Sequence, residues 1–167
     1  MSLFRRRLMI QANRLIDGID FSAQPNNEVW YVTTDGNTYS GIETMGWGAQ
    51  VGLKLVSNTY KNGIGRAVYN TTIETIGENF ARFLSQIKII SLPRKVKYLH
   101  AYSLGYGELN VSASLVFLSN VRIGYSSEFK WNAGVLYVQK GLAKDYAEMK
   151  STHAGQDGIK EIKEINI

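Results

Sequence analysis

The strongest constraint on this chain is an echo of apolar residues 23 positions apart. In the stretch from Thr72 to Leu99 (TIETIGENFARFLSQIKIISLPRKVKYL), Ile73 and Ile76 are matched by Val96 and Leu99. A third echo follows at Val121 and Ile123-Gly124, one or two residues out of register. A period in the low twenties is far too long for a helix or a strand. It predicts the coil of a solenoid, each turn giving one strand and one bend to a shared core. One unit buries about five apolar side chains, each worth roughly 1.5–3 kcal/mol. Ordering the backbone costs ~1–2 kcal/mol per residue, so a single unit cannot stand alone. Stacking and end caps are required.

Composition fits such a chain. At 167 residues it has a one-domain length, enough to bury roughly 70% of its unfolded surface. Sixteen glycines, two prolines and ten tyrosines suit a turn-rich, mainly β protein better than a helical bundle. No run approaches the ~20 apolar residues of a membrane-spanning helix. The absence of cysteine rules out disulfides, thiolate metal sites and cysteine nucleophiles.

The segment 1–22 reads as a basic arm with one turn of helix, led by Phe4, Arg5, Arg6 and Arg7. Its apolar Leu8-Met9-Ile10 is cut short by Gln11, Asn13 and Arg14, so it is not a conventional signal peptide. Residues 23–64 read as a β-rich cap. Within it, Glu28 to Thr34, an Asp35-Gly36 turn and a return strand from Asn37 to Ser40 predict a β-hairpin. Residues 65–138 hold the repeats, with a short helical turn predicted over Glu78 to Leu84. Residues 139–167 form a closing cap and tail, with a helix predicted over Lys140 to Lys150. The tail IKEIKEINI fits either an edge strand or a helix.

Ile73, Ile76-Gly77, Ile87, Ile90, Leu92 and Pro93 fall without a gap on the pattern V-x-x-I-G-x-x-A-F-x-x-C-x-x-L-x-x-V-x-I-P. In these residues the chain resembles the BspA-like leucine-rich repeat family. Phe80-Ala81 inverts that pattern's Ala-Phe pair, Leu84 replaces its cysteine, and the second unit loses register near Leu109. The flanking NEVWYVTTDG and VSNTYKNGIG look like the family's N-terminal cap, and VLYVQKGLAKDYAEM looks like its closing segment. The resemblance covers about residues 26 to 150. It implies a short right-handed β-solenoid with an N-terminal β-hairpin cap and short helical turns, in an adhesion or recognition protein of the cell surface or extracellular space. It supplies no catalytic residues.

The residues themselves offer little catalytic chemistry. His100 and His153 stand alone, and no aspartate sits in a calcium loop. Glu74 and Glu78 are close in sequence but fall at solvent-facing repeat positions. GWG, GIG and GYG lack the rest of a phosphate or dinucleotide loop and read as turns. The expectation is a protein that is not an enzyme and needs no cofactor or metal.

A more informative pattern is basic and aromatic. Between Glu78 and Glu108 there is no acidic residue, while Arg82, Lys88, Arg94, Lys95 and Lys97 fall there, inside a net charge of +5. Tyr98 and Tyr102 lie among these cations. Tyrosine and arginine are the residue types that anchor protein interfaces. Arg94, Lys95, Lys97, Tyr98 and Tyr102 are therefore the expected binding residues for a protein or glycan partner. Nucleic-acid binding through the patch from Arg82 to Lys97 is the weaker reading. The alternative is a structural component of a phage virion or fibre, self-assembling through the arm Phe4, Arg5, Arg6 and Arg7.

Overall fold

The computed structural model describes residues 15–42, 47–81, 84–100, 103–104, 112–123, 133–152 and 159–167. They form a mainly β protein with two sheets that enclose the core and a small N-terminal hairpin outside them. The larger sheet is mixed and seven-stranded. Its strands are β3 (Glu28–Thr33), β4 (Leu55–Lys61), β5 (Ile64–Tyr69), β7 (Ile87–Leu92), β9 (Ser114–Phe117), β11 (Ala133–Gln139) and β12 (Ile159–Ile165), in the order β12-β11-β9-β7-β3-β5-β4. The smaller sheet is β10-β8-β6, made of β6 (Thr75–Ile76), β8 (Tyr98–Leu99) and β10 (Arg122–Ile123).

The apolar echo becomes strand pairing. Thr75 pairs in parallel with Tyr98, and Tyr98 with Arg122, so Ile76, Leu99 and Ile123 align on the inner face. In the larger sheet Ile90, Leu115, Leu136 and Ile162 align in the same way, also in parallel. The fully buried Ile73, Phe80, Val96, Phe117 and Val121 fill the space between the sheets. Each ladder thus stacks chemically alike side chains, which is why the repeat can be read at all.

The loss of register near Leu109 is an insertion, and the third unit is built despite it. Ala81 bridges Leu104, 23 residues on, whereas Ile89 pairs with Ser114, 25 residues on. Two extra residues therefore enter between Leu104 and Ser114, and the pairing resumes beyond them.

The N-terminal cap differs from expectation. The structure moves the hairpin: β3 pairs with β5 and β7, and the segment after Asp35-Gly36 does not return along it. Asp35 accepts from Asn37 N–H and Nδ2, both at 3.1 Å, which makes an Asx turn. Tyr39 then turns inward, 3% exposed, with its N–H on Tyr31 Oη at 3.2 Å and its carbonyl accepting from Asn58 Nδ2 at 3.0 Å. Burial of that ring outweighs a return strand. The hairpin that does form joins β4 to β5 through Asn62-Gly63, whose φ values of 53° and 81° suit a type I′ turn. Strand β5 runs on through Gly65, and the parallel pairing begins only at Thr75.

Other expectations are corrected too. Leu15–Ile16 (β1) and Ile19–Asp20 (β2) form a short antiparallel hairpin in place of a turn of helix. The outer face of the large sheet explains it: Ile16 and Phe21 pack there on Trp30, Ile89 and Val116 as a second apolar cluster. Glu78–Phe80 is a turn with Asn79 at φ 58°, a left-handed conformation that no α-helix contains, and it buries Phe80 and Ala81 together. The tail is the edge strand β12.

The helix α1 spans Ala143–Thr152, starting three residues later than expected. Glu164 of the tail accepts from Gly141 N at 2.9 Å and Ala143 N at 3.3 Å, so a distant residue caps the helix start. Among the described residues no helix is long and apolar enough to cross a membrane.

Candidate functional site

The smaller sheet is only two residues deep per strand, so its outer face is set by what borders it. Strand β6 lies at its edge, where unpaired backbone groups need partners. Gln50 supplies them with its side chain: Oε1 accepts from Glu74 N at 2.8 Å, and Nε2 donates to Thr72 O at 2.9 Å. Farther along, Glu78 N donates to Trp47 O at 3.0 Å. The segment Trp47–Gln50 therefore stands in for a neighbouring strand and holds Trp47 against the sheet.

His100 completes the arrangement. Its N–H continues the parallel ladder to Ile76 O at 2.9 Å. Its carbonyl accepts from Ser103 Oγ at 2.7 Å, fixing the chain beyond it. The imidazole meets Trp47 edge-on with centroids 5.0 Å apart, and Tyr98 edge-on at 5.5 Å. Gly48, at φ 77°, passes so close that any β-carbon there would fall within the His100 ring. On the other side His100 Nδ1 lies 3.8 Å from Glu78 Oε1, with both side chains largely covered.

Three aromatic rings thus form one patch, and Trp47 is 75% exposed on it. Charged groups border the patch. Lys97 and Glu74 pair at 3.1 Å across the 23-residue offset, both substantially exposed. Arg122 follows Tyr98 in the same cross-strand row and is exposed.

The expected binding residues divide. Lys97 and Tyr98 lie in this patch. Lys95 is exposed in the turn just before it. Arg94 is directed elsewhere: its guanidinium donates to Ser22 O at 3.2 Å and ties the N-terminal segment to the corner after β7. Tyr102 and the arm residues Phe4, Arg5, Arg6 and Arg7 lie outside the described residues. Glu78, read as solvent-facing, is half-buried against His100.

Sequence reasoning passed over Trp47. Its one signal was a tryptophan between two glycines in an otherwise ordinary turn. Among the described residues no group of His, Asp and Glu has the arrangement to hold a metal ion. The geometry supports recognition chemistry: ring faces and edges for stacking, and mobile cations at the rim.

Family profiles, curated proteins and solved structures were all compared with the chain, and none matches.

Proposed function

We propose that this chain is a short leucine-rich-repeat-type β-solenoid, similar to the BspA-like family, and works as a non-enzymatic recognition module for a protein or glycan. The solenoid reading is supported by two parallel ladders whose partners are 23 to 26 residues apart wherever β6, β7, β8 and β12 join their neighbours. The β9–β11 step is shorter, at 21 residues. The functional reading is carried by one observation: Trp47 is held by Glu78 and Gly48 yet leaves three quarters of its surface to solvent.

A large ring fixed in place loses little entropy on binding, which makes it an efficient anchor. Tyr98 and His100 extend the apolar surface, and Lys97 and Arg122 add charge that steers an acidic or polar partner.

The test is binding of the immobilised chain to a glycan array and to a panel of extracellular-matrix proteins. The wild-type chain is expected to bind a member of one panel. Trp47→Ala combined with Tyr98→Ala is expected to weaken that binding by about thirtyfold, the ~2 kcal/mol of an anchor residue, with little change in melting temperature. Equal binding by the double variant refutes the site, and absence of binding on both panels refutes the module.

A further inference from the structure

A second feature lies on the opposite side of the molecule, on the outer face of the large sheet. There the β1–β2 hairpin covers only part of the sheet and leaves a cavity of about 610 Å³, within the ordinary range for small-molecule sites. The floor is apolar and firmly held. Trp30 and Ile89 are buried in the second core cluster, and Val32 and Ile64 pack beside them.

Two cations stand over that floor, each placed by a specific device. The Arg66 guanidinium lies 4.6 Å from the Trp30 ring centroid, a cation–π contact that restricts its rotamers. Lys88 owes its position to a β-bulge. Val32 pairs with Ile89 and Thr33 with Ile87, so Lys88 is the extra residue, and a bulge re-aims the side chain it carries. Among the described residues neither Arg66 nor Lys88 makes an ion pair.

The remaining lining decides the charge of the ligand. Asp17 and Asp20 of the hairpin also border the cavity. They offset the two cations in formal charge, so a single anionic head is accommodated better than a dianion. Asp20 Oδ1 is already engaged with Ser22 N at 2.8 Å.

We propose that this cavity binds a small amphipathic carboxylate, its apolar body on Trp30 and Ile89 and its head between Arg66 and Lys88. A guanidinium held flat on an indole presents a fork of donors matched to a carboxylate. The site is separate from the Trp47 patch and does not depend on it.

The experiment is an NMR titration of the full chain with 4-phenylbutyrate, following the backbone amides of Gly18, Gly63 and Lys88. Saturable shifts at these amides are expected. Arg66→Gln and Lys88→Gln should each weaken binding at least tenfold while leaving the rest of the spectrum in place. Trp47→Ala should leave it unchanged. Three results overturn the proposal: no saturable shift, equal affinity for the uncharged 4-phenylbutan-1-ol, or equal affinity for inorganic phosphate alone.

Discussion

The hydroxyl of Tyr146 makes two hydrogen bonds to one residue, accepting from Val121 N at 2.8 Å and donating to Val121 O at 3.1 Å. Helix α1 thereby satisfies the backbone of the third unit at a fully buried position. Burial pushes the phenol up to about 12 from its ordinary 10.0. The folded-state value lies above the unfolded one, so this stabilisation is complete below pH ~10 and is lost as the pH rises toward 12. Two units correspond to about 3 kcal/mol. Tyr146→Phe strands both Val121 groups and should cost ~1–3 kcal/mol at neutral pH. Urea unfolding at pH 7 and pH 11 checks both: the wild-type should lose stability between them, and the variant should lose less.

Phe80 is fully buried at the turn where the first unit bends, beside Ala81 and its bridge to Leu104. Phe80→Ala should cost ~3–5 kcal/mol through lost transfer energy and the cavity left behind. A chemical denaturation midpoint within error of wild-type would show that this ring does not hold the stack.

Gly63 has open space around a would-be β-carbon, so its role is backbone conformation alone. At φ 81°, Gly63→Ala should cost roughly 1–2 kcal/mol, and Gly63→Asn less. The order of the two melting temperatures is the readout.

Gly48→Ala differs in kind, because the new methyl collides with the His100 ring. The ring must move, at a cost of ~1–3 kcal/mol. The ring-current shifts of Trp47 and His100 in the proton NMR spectrum should change while the β4–β5 hairpin resonances stay in place.

The Lys97–Glu74 pair is mostly exposed, so Glu74→Gln should change stability by less than ~1 kcal/mol. Whatever difference appears at low salt should vanish near 1 M, where the screening length falls to about 3 Å.

Several parts of this fold could be read in the chain because they repeat. Ile73, Ile76, Ile90 and Leu92 recur as Val96, Leu99, Leu115 and Phe117, and a core that stacks on itself demands like side chains at each level. The insertion after Leu104 hid the third unit, because spacing in sequence changed while pairing in space did not. The site was legible only in part. Lys97 and Tyr98 belong to the repeat, and the reading found them; Trp47 belongs to a turn with no period. Arg94 looked like its neighbours and was assigned to the patch, yet its partner, Ser22, is 72 residues away.

The sequence by itself determined a mainly β chain with a 23-residue apolar period, an Asn62-Gly63 turn suited to a hairpin, and a basic stretch beside aromatic residues. These follow from local propensity and periodicity, which each segment carries alone. Only the tertiary structure decided that Tyr39 is buried and not paired in a hairpin, that Gln50 completes the edge of β6, and that Trp47 is held beside His100. Those outcomes depend on unsatisfied groups finding partners far along the chain, and no short window of residues contains both members of the pair.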